Sequence, residues 1–401
     1  MRIVVVSAWA PWDLFNGDGL IVHHQLRILE RRHDIRVIVA QSPSRAEDLA
    51  NSGLSDLTRM TTFEPLKNPG LDFARRRLSA MVHGEPVHVP WVMRPRLLEE
   101  FRAQLAAFDP DVVHLIGWGT AGLWRLTGDI PTTYMAIDPW MDARANRVVP
   151  WYRRLTDRDQ QRAVIQHEYR EYPHLDAVAL VSADDAEDMA ARIPDARFVG
   201  IPNGVEAGER PGKRTTSPVI VYHGTFAVAA NLTAARNLVD HVLPLVHRQR
   251  PDAKLLLVGR YGKEALGALE GPLVEVTGSV DDLREALSRG SVSVAPMTVG
   301  SGMKNKILEA MAAGLPVVTT SAGARGIGAG DGLIVHDDWA GMAQAVVELL
   351  NDPAHRSAVG DAGRARVLRD FSWERSVDRL EVLWTDLQAS RQLNADDPCS
   401  A

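Results

Sequence analysis

The stretch Ser291–Thr320, SVSVAPMTVGSGMKNKILEAMAAGLPVVTT, contains the pattern that decides the fold. It begins with a short, mainly apolar run bounded by Pro296, which is typical of a buried parallel strand. A glycine loop follows, and the helical pattern MKNKILEAMAAG then ends at Gly314. The run LPVVTT begins another strand. This order of strand, glycine loop, helix and strand predicts a βαβ unit, and therefore an α/β fold with a doubly wound parallel sheet.

The glycine loop and the start of the helix together offer a place for an anion. Backbone amides of such a loop and of the first helical turn point beyond the carboxyl end of the strand. Lys304 and Lys306 lie in this turn, where the positive end of the helix dipole disfavours cations. The chain has only six lysines, and an anionic ligand would explain why two of them lie here. The alternative is an ordinary βαβ unit in which Lys306 and Glu309, three residues apart, form a surface pair.

The segment SGMKNKILEAMAAGLPVV, residues 301–318, resembles the donor-binding segment of GT-B glycosyltransferases, particularly family 4. In that family a Glu-x7-Glu motif runs into EAMAxGxPVV. Glu309 matches the second glutamate, which binds the nucleotide ribose in the family. Ser301 replaces the first, which normally contacts the donor sugar. A subgroup carries GSGxxxKxLEAMA instead, and this chain is similar to it.

The resemblance implies two Rossmann-like domains facing each other across a cleft, and an enzyme of the hexosyltransferase type. Such an enzyme transfers a sugar from a nucleoside-diphosphate sugar, for example a UDP-sugar, to a hydroxyl group, with retention and without a metal or cofactor. The expected donor-binding residues are Gly17, Gly19, Gly224, Gly300, Ser301, Gly302, Met303, Lys304 and Glu309, and the expected catalytic residues are Asp138 and Lys306.

Four of these residues come from outside the central stretch. Gly17 and Gly19 occupy the first βα turn and match a glycine-rich loop under the donor phosphates, although turn chemistry alone also explains them. Asp138 ends the strand IPTTYMAID and matches an active-site aspartate, with Ile137 where histidine is usual; a cap or turn role is the alternative. Gly224 begins GTFAVAAN, but the arginine and lysine that many relatives have nearby are missing. In the family these two residues bind the diphosphate, and that role would fall here to Lys304 and Lys306.

A literal G-x-G-x-x-G, Gly117–Gly122, follows the strand DVVHLI and raises the possibility of a nicotinamide cofactor. That fingerprint belongs to the first βα turn of its domain, whereas here a βαβ unit already precedes it. The resemblance explains the strand better, because DVVHLI is similar to the family's DVVHxH strand end, with His114 matching the first histidine and Ile116 replacing the second.

The domain prediction is an N-terminal acceptor-side domain, 1–205, and a nucleotide-sugar domain, 206–375. A closing helix, 376–390, returns to the first domain, and a disordered tail, 391–401, follows. In the first domain, residues 41–100 are expected to be irregular, 151–172 to form a polar surface helix, and AVALVS to be the last strand.

Composition limits the partners. The chain has 401 residues, 45% apolar and 24% charged, and a formal charge of −6, which argues against nucleic-acid binding. No apolar run is long enough to span a membrane, and the short apolar start is better explained as a first strand than as a signal peptide. A single cysteine indicates a reducing, cytoplasmic compartment. A bacterial source is expected. A small-molecule, saccharide or lipid-linked acceptor is expected, with peripheral membrane contact left open.

Two rival functions share these features. A hydrolysing sugar-nucleotide epimerase has the same fold, but it would need further acidic residues and a histidine around the sugar. A non-catalytic nucleotide-sugar-binding partner protein is suggested by the departures at Ser301, Ile116 and Ile137.

Overall fold

The computed structural model describes residues 1–13, 17–43, 46–63, 78, 80, 82, 84–87, 89–137, 139, 154–206, 208, 215, 217–299 and 302–395, with only the backbone of residues 46, 91, 154–157, 394 and 395. The chain divides into two compact units. Unit 1 comprises the described residues up to Pro202 and those from Trp373 onward, and unit 2 comprises Asn203–Ser372. Within the described ranges, no helix is long and apolar enough to cross a membrane.

The described part of unit 1 contains a parallel sheet of seven strands in the order β3-β2-β1-β4-β5-β6-β7. Its central strands are buried on both faces, which explains their nearly continuous Val and Ile runs. AVALVS was expected to be the last strand of this sheet, but a further strand, Phe198–Gly200, follows it. A strand of three residues is too short to be recognised from a sequence pattern. The strands are β1 (Arg2–Ser7), β2 (Asp34–Val39), β3 (Met60–Thr62), β4 (Val112–Ile116), β5 (Thr132–Ile137), β6 (Ala177–Leu180) and β7 (Phe198–Gly200).

The helices of unit 1 follow the strands of the sheet in sequence. Residues 41–100 are less irregular than expected, because they include a strand and three helix segments. The described helices are α1 (Gly17–Arg32), α2 (Ala46–Ala50), α3 (Val89–Val92), α4 (Pro95–Phe108), α5 (Arg154–Glu171) and α6 (Ala183–Arg192), with 3-10 turns at Leu57–Arg59, Ala121–Leu126 and Tyr172–His174.

Helix α5, predicted as a surface helix, has buried acidic residues in its last turns. Glu168 and Glu171 are almost inaccessible to solvent. The carboxylate of Glu168 accepts a hydrogen bond from the hydroxyl of Tyr172, and that of Glu171 accepts from Trp124 Nε1 and Arg125. Polar composition predicted exposure, but these tertiary partners satisfy the buried carboxylates.

The described part of unit 2 is a second parallel sheet, of six strands, in the order β10-β9-β8-β11-β12-β13. Its strands are β8 (Val219–His223), β9 (Lys254–Val258), β10 (Val274–Val276), β11 (Val292–Ala295), β12 (Val317–Thr319) and β13 (Leu333–Val335). Helices connect them as βαβ units: α7 (Ala229–Asn237), which continues through a π-helical turn at Leu238–Val242 into α8 (Leu243–His247), α9 (Gly262–Leu266), α10 (Leu283–Ser288), α11 (Asn305–Ala312) and α12 (Ser321–Ala324). Two further helices follow the last strand: α13 (Trp339–Asn351) and α14 (Pro353–Asp370).

The last described helix, α15 (Trp373–Ala395), packs into unit 1. Its first residue stacks on His24 with ring centroids 4.6 Å apart, and Trp384 is fully buried, donating from Nε1 to Thr133 Oγ1 at 3.0 Å. The helix continues beyond the expected 376–390. Residues 391–395, expected in the disordered tail, are helical because Arg391 forms an ion pair with Asp176. The remaining tail lies outside the described residues.

Candidate functional site

The candidate site lies at the carboxyl edge of the unit 2 sheet, where the strand order reverses. From β8 the chain adds β9 and β10 on one side and, after a crossover, β11, β12 and β13 on the other. The loops after β8 and β11 therefore leave in opposite directions and open a crevice between them. Ligands of doubly wound sheets bind in this position.

The loop after β11 leads directly into helix α11. The helix begins at Asn305, so the predicted start at Met303 is two residues early and Lys304 is the residue before the first turn. The ammonium group of Lys304 turns back and donates to the carbonyl oxygen of Gly302 at 2.9 Å, while Met303 is buried. The side chain of Asn203 donates to Asn305 Oδ1 at 3.0 Å and ties this turn to the start of unit 2.

Lys306 points toward the end of β8. Its Nζ donates to the hydroxyl of Tyr222 at 3.1 Å and to Asn231 Oδ1, and it lies 5.0 Å from the centre of the Tyr222 ring. Asn231 is fixed in turn, because its Nδ2 donates to the carbonyl of Thr225 at 3.0 Å. Both partners of the ammonium are neutral oxygen acceptors, so nothing in this pair of contacts cancels its charge.

The charge of Lys306 is correspondingly expensive to maintain. Burial lowers its pKa to about 7, an effect that the Glu309 carboxylate opposes and the Lys304 ammonium reinforces. Burial of a cation without a full counter-charge disfavours the charged form in this way. A strongly shifted pKa in a crevice is typical of functional sites, and an anionic ligand would restore the charged form.

Glu309, one helical turn further, contacts the other residue at the end of β8. Its Oε2 lies 2.9 Å from His223 Nε2. The His223 side chain is 5% exposed, whereas that of Glu309 is 29% exposed. One carboxylate oxygen is therefore held by a buried ring, and the other, Oε1, has no hydrogen-bond partner among the described residues.

Two glycines make room for these contacts. A Cβ atom at Gly224 would lie 3.2 Å from Lys306 Nζ and 3.1 Å from Asn231 Nδ2. At Gly259, after β9, a Cβ atom would lie only 2.1 Å from the carbonyl oxygen of Gly224, and φ is +138°. The two loops approach each other so closely that a side chain at Gly259 has no space.

The structure brings Gly224, Gly302, Lys306 and Glu309 to one edge of the sheet, with Met303 and Lys304 beside them. Of the other predicted site residues, Gly300, Ser301 and Asp138 lie outside the described residues. Tyr222, His223 and Gly259 belong to the same group but were not assigned from sequence, and Asn231 was noted only as part of a family pattern. Polar residues at the end of the apolar run VIVYH were the available signal for the first two.

Unit 1 presents its own reversal of strand order, between β1 and β4. Gly17 and Gly19 lie in the first turn of α1 rather than in the preceding loop, and a Cβ atom at Gly19 would meet the Asp13 carbonyl oxygen at 2.4 Å. Asp18 lies between these two glycines, and its pKa is raised to about 6 by burial and by the nearby Asp13 carboxylate. A carboxyl group that titrates near neutrality here was not foreseen.

The G-x-G-x-x-G stretch and His114 have structural explanations. Gly117 has a φ of +84°, and Trp9 fills the space where its Cβ would lie. The residues from Ala121 onward form a 3-10 helix, not the α-helix that a dinucleotide fingerprint introduces. His114 is fully buried, bonded to Thr133 Oγ1 at 2.9 Å, and burial lowers its pKa to about 3. It is a neutral core residue.

Comparison with known proteins gives two family matches that divide the chain much as its units do. The family model described as Glycosyltransferase Family 4 matches residues 15–209, and the model described as Glycosyl transferases group 1 matches residues 217–352. The strand, loop and helix that carry Lys306 and Glu309 fall within the second match.

Similar proteins agree with these families. The chain is 35% identical over 153 residues to a GDP-mannose-dependent monoacylated alpha-(1-6)-phosphatidylinositol monomannoside mannosyltransferase of Corynebacterium glutamicum, covering 34% of this chain and 40% of that protein. It is 32% identical over 190 residues to a phosphatidyl-myo-inositol mannosyltransferase of Mycobacterium leprae, covering 44% of this chain and 50% of that protein. The chain thus spans half or less of the length of these two curated relatives.

The same fold is found in a solved sucrose-phosphate synthase from Thermosynechococcus elongatus. The two superimpose with a TM-score of 0.69 at 18% identity, over 97% of this chain and 100% of that one. This likeness concerns the fold. With two parallel α/β units, matches to both family models and a reversal-point crevice built from the expected motif, the chain belongs to the group 1, family 4 glycosyltransferases of GT-B fold.

Proposed function

We propose that this protein transfers a sugar from a nucleoside-diphosphate sugar to a hydroxyl acceptor. The observation that carries the proposal is the position of Lys306. Its ammonium group is held at the reversal-point crevice by two neutral acceptors, Tyr222 and Asn231. An ammonium has three hydrogens, and these two bonds use two of them. The third hydrogen and the uncancelled charge suit one oxygen of a bound diphosphate.

The chemistry follows from where charge develops. The acceptor oxygen attacks the anomeric carbon, the bond from that carbon to the diphosphate oxygen breaks, and negative charge grows on the leaving phosphate. A cation aimed at that oxygen stabilises the transition state more than the ground state. The leaving phosphate can accept the proton of the acceptor hydroxyl on the same face of the sugar, which gives retention. Lys306 provides the positive charge, assisted by the backbone amides at Gly302 and Met303.

The carboxylate of Glu309 suits the ribose of the same donor. It projects from the helix face that carries Lys306, and Oε1 and the remaining lone pair of Oε2 can accept hydrogen bonds from two hydroxyl groups. Asp138 stays the predicted active-site carboxylate of unit 1. The two mannosyltransferase relatives are named for phosphatidylinositol-based acceptors, and we extend the proposal to a lipid-linked polyol as acceptor, reached by peripheral contact with a membrane.

The proposal is tested first by binding. Thermal shift and calorimetry with UDP, GDP and ADP, and with the sugar nucleotides UDP-glucose and GDP-mannose, should identify one nucleotide that raises the Tm. At 100 times its Kd a ligand stabilises a folded protein by about 2.7 kcal/mol. Glu309→Ala should weaken the binding of that nucleotide by roughly 1.5–3 kcal/mol, the contribution of a hydrogen bond to a charged group. Lys263→Met is the matched control, because this unit 2 lysine is paired with Glu270 on the surface.

Product analysis separates the rival functions. With a phosphatidylinositol acceptor in mixed micelles, sugar should move from the nucleotide to the lipid. Release of nucleoside diphosphate at the same rate without acceptor would favour a hydrolysing epimerase. Tight nucleotide binding with no transfer to lipid, saccharide or small-molecule acceptors would contradict the transferase and favour a non-catalytic binding protein.

A further inference from the structure

His223 is a buried histidine at the carboxyl end of β8, and its only described hydrogen-bond partner among acidic side chains is Glu309. The two side chains come from different elements: one ends the central strand of the sheet, the other projects from α11 across the reversal point. The ring is nearly enclosed, so it cannot follow the carboxylate if the carboxylate moves. The pair therefore restricts Glu309 to one rotamer.

Tyr222, which precedes His223, holds the side chain of Lys306 in a similar way. Tyr222 and His223 are the last two residues of β8. Tyr222 holds the ammonium of Lys306, and His223 holds the carboxylate of Glu309. The end of one strand thus fixes two side chains that lie three residues apart on one helix.

We infer that His223 is a positioning residue for nucleotide recognition: it holds one oxygen of Glu309 so that the carboxylate presents the other to vicinal hydroxyls of the donor nucleotide. The inference rests on the proposed function. It goes further in assigning a role to a residue that touches no substrate itself. A carboxylate left free would lose rotamer entropy on binding, and a carboxylate already held by His223 loses less.

The test compares variants that keep or remove the ring N–H. His223→Phe keeps a flat ring of similar size but cannot donate, whereas His223→Gln retains an N–H donor. His223→Phe should raise the Kd for the nucleoside diphosphate and the KM for its sugar about 10-fold, with kcat changed less than about 3-fold, as expected when uniform binding is lost. His223→Gln should recover most of the affinity. In a Glu309→Ala background, His223→Phe should have no further effect.

Unit 1 contains a matched control. His33 Nε2 lies 2.8 Å from Glu381 Oε1 in a similar half-buried pair. His33→Phe breaks the same kind of contact, but His33 belongs to unit 1, whereas the residues proposed to bind the nucleotide belong to unit 2. It should leave the Kd unchanged.

A second readout does not depend on any ligand. In ¹⁵N NMR of histidine-labelled, ligand-free protein, Glu309→Gln should shift the Nε2 resonance of His223, assigned by its disappearance in His223→Phe. An unchanged resonance would overturn the inference, as would wild-type affinity of His223→Phe or an equal loss in the Glu309→Ala background. Failure of the wild-type chain to bind any nucleotide would instead overturn the proposed function, and the inference with it.

Discussion

Lys306 and Glu309 illustrate how residues acquire function from their contacts. Each is an ordinary charged side chain in sequence, and each gains a defined direction from a residue at the end of β8. Lys304, two positions before Lys306, instead donates to a backbone carbonyl of its own loop. Because the helix begins at Asn305, Lys304 lies before its first turn, and the two lysines do not present their ammonium groups in the same way.

Lys306→Met should lower kcat by about 10²–10³-fold, the usual effect of removing one donor to a developing oxyanion. Methionine keeps the aliphatic stem and the helix propensity and removes only the charge. Because the interaction is stronger in the transition state than in the bound donor, kcat should fall more than donor affinity in steady-state kinetics, and kcat/KM should fall at least as much as kcat. Lys304→Met is the control and should have a smaller effect. The reverse order would contradict the assignment of Lys306.

The pKa of Lys306 makes donor binding depend on pH. Burial lowers this pKa to about 7, so the ligand-free ammonium loses its proton as the pH rises through that value. A diphosphate binds the charged form, so the Kd should increase from ~pH 6 to ~pH 9 and binding should take up a proton. Calorimetry in buffers of different ionisation enthalpy measures that proton. Lys306→Met should bind with a flatter pH profile; an unchanged profile would assign the dependence to another group.

At the scale of elements, the site depends on how closely the loops after neighbouring strands approach. The loop after β9 touches the carbonyl of Gly224, which itself borders Lys306 and Asn231. Parallel strands place all their carboxyl ends at one edge, so several short loops must share a small volume there. Glycine is required where two backbones meet.

Gly259→Ala should therefore destabilise the protein by roughly 1–3 kcal/mol, because the new Cβ would overlap a backbone oxygen and φ is positive. Nucleotide affinity should fall as well, since the loop can relieve the overlap only by displacing Gly224. Denaturant unfolding and calorimetry measure the two effects. Gly271→Ala, whose Cβ would meet nothing within 4 Å, is the control. Equal stability of the two variants would show that the approach is not tight.

The end of α5 contributes stability through a buried carboxylate. Burial raises the pKa of Glu171, but hydrogen bonds from Arg125, Arg170 and Trp124 outweigh it and lower the pKa to about 2. Because the folded pKa lies below the ordinary value of 4.5, this stabilisation is present above about pH 4.5 and is lost as the pH falls toward 2.

Glu171→Gln should reduce the free energy of unfolding at neutral pH by about 2 kcal/mol, a moderate value because both arginines are partly solvent-screened. The difference from wild type should shrink at acidic pH, where wild-type Glu171 also loses its charge. Urea unfolding at several pH values measures this. A difference that does not vary with pH would mean that packing, not the ion pairs, is lost.

At the scale of the whole molecule, the chain completes unit 1 only after it has built unit 2. Helix α15 packs Trp384 against the sheet residues Thr133 and His114, with its ring 5.3 Å from the imidazole. Lys306 and Glu309, which we propose to bind the nucleotide, belong by contrast to unit 2. Stability of unit 1 and nucleotide affinity should therefore respond to different mutations.

Trp384→Ala should lower the free energy of unfolding by about 3–5 kcal/mol, the usual result of removing a large buried aromatic side chain. The Kd for the nucleotide, measured at a temperature where the variant remains folded, should stay within about 2-fold of wild type. Circular dichroism confirms folding at that temperature. A large loss of nucleotide affinity in the folded variant would show that the two units are coupled in binding.

The sequence alone determined the architecture and the central motif. Short apolar runs alternate with helical patterns, and glycine or proline marks their ends, so local periodicity was enough to predict an α/β fold with a parallel sheet, and the family resemblance added the second domain. The loop and helix around Lys306 were also readable, because lysines at the start of a helix are a local anomaly that an anionic ligand would explain. These features depend on residues close together in the chain.

Tertiary structure decided the partners. His223 lies 86 residues from Glu309, and Asn231 lies 75 residues from Lys306, so their pairing follows from the order of strands and not from any local pattern. The same holds for the buried glutamates of α5, whose polar sequence predicted exposure, and for Trp384, which reaches Thr133 across 251 residues. Composition reports the average environment of a segment, but long-range packing sets the burial and hydrogen bonds of each side chain.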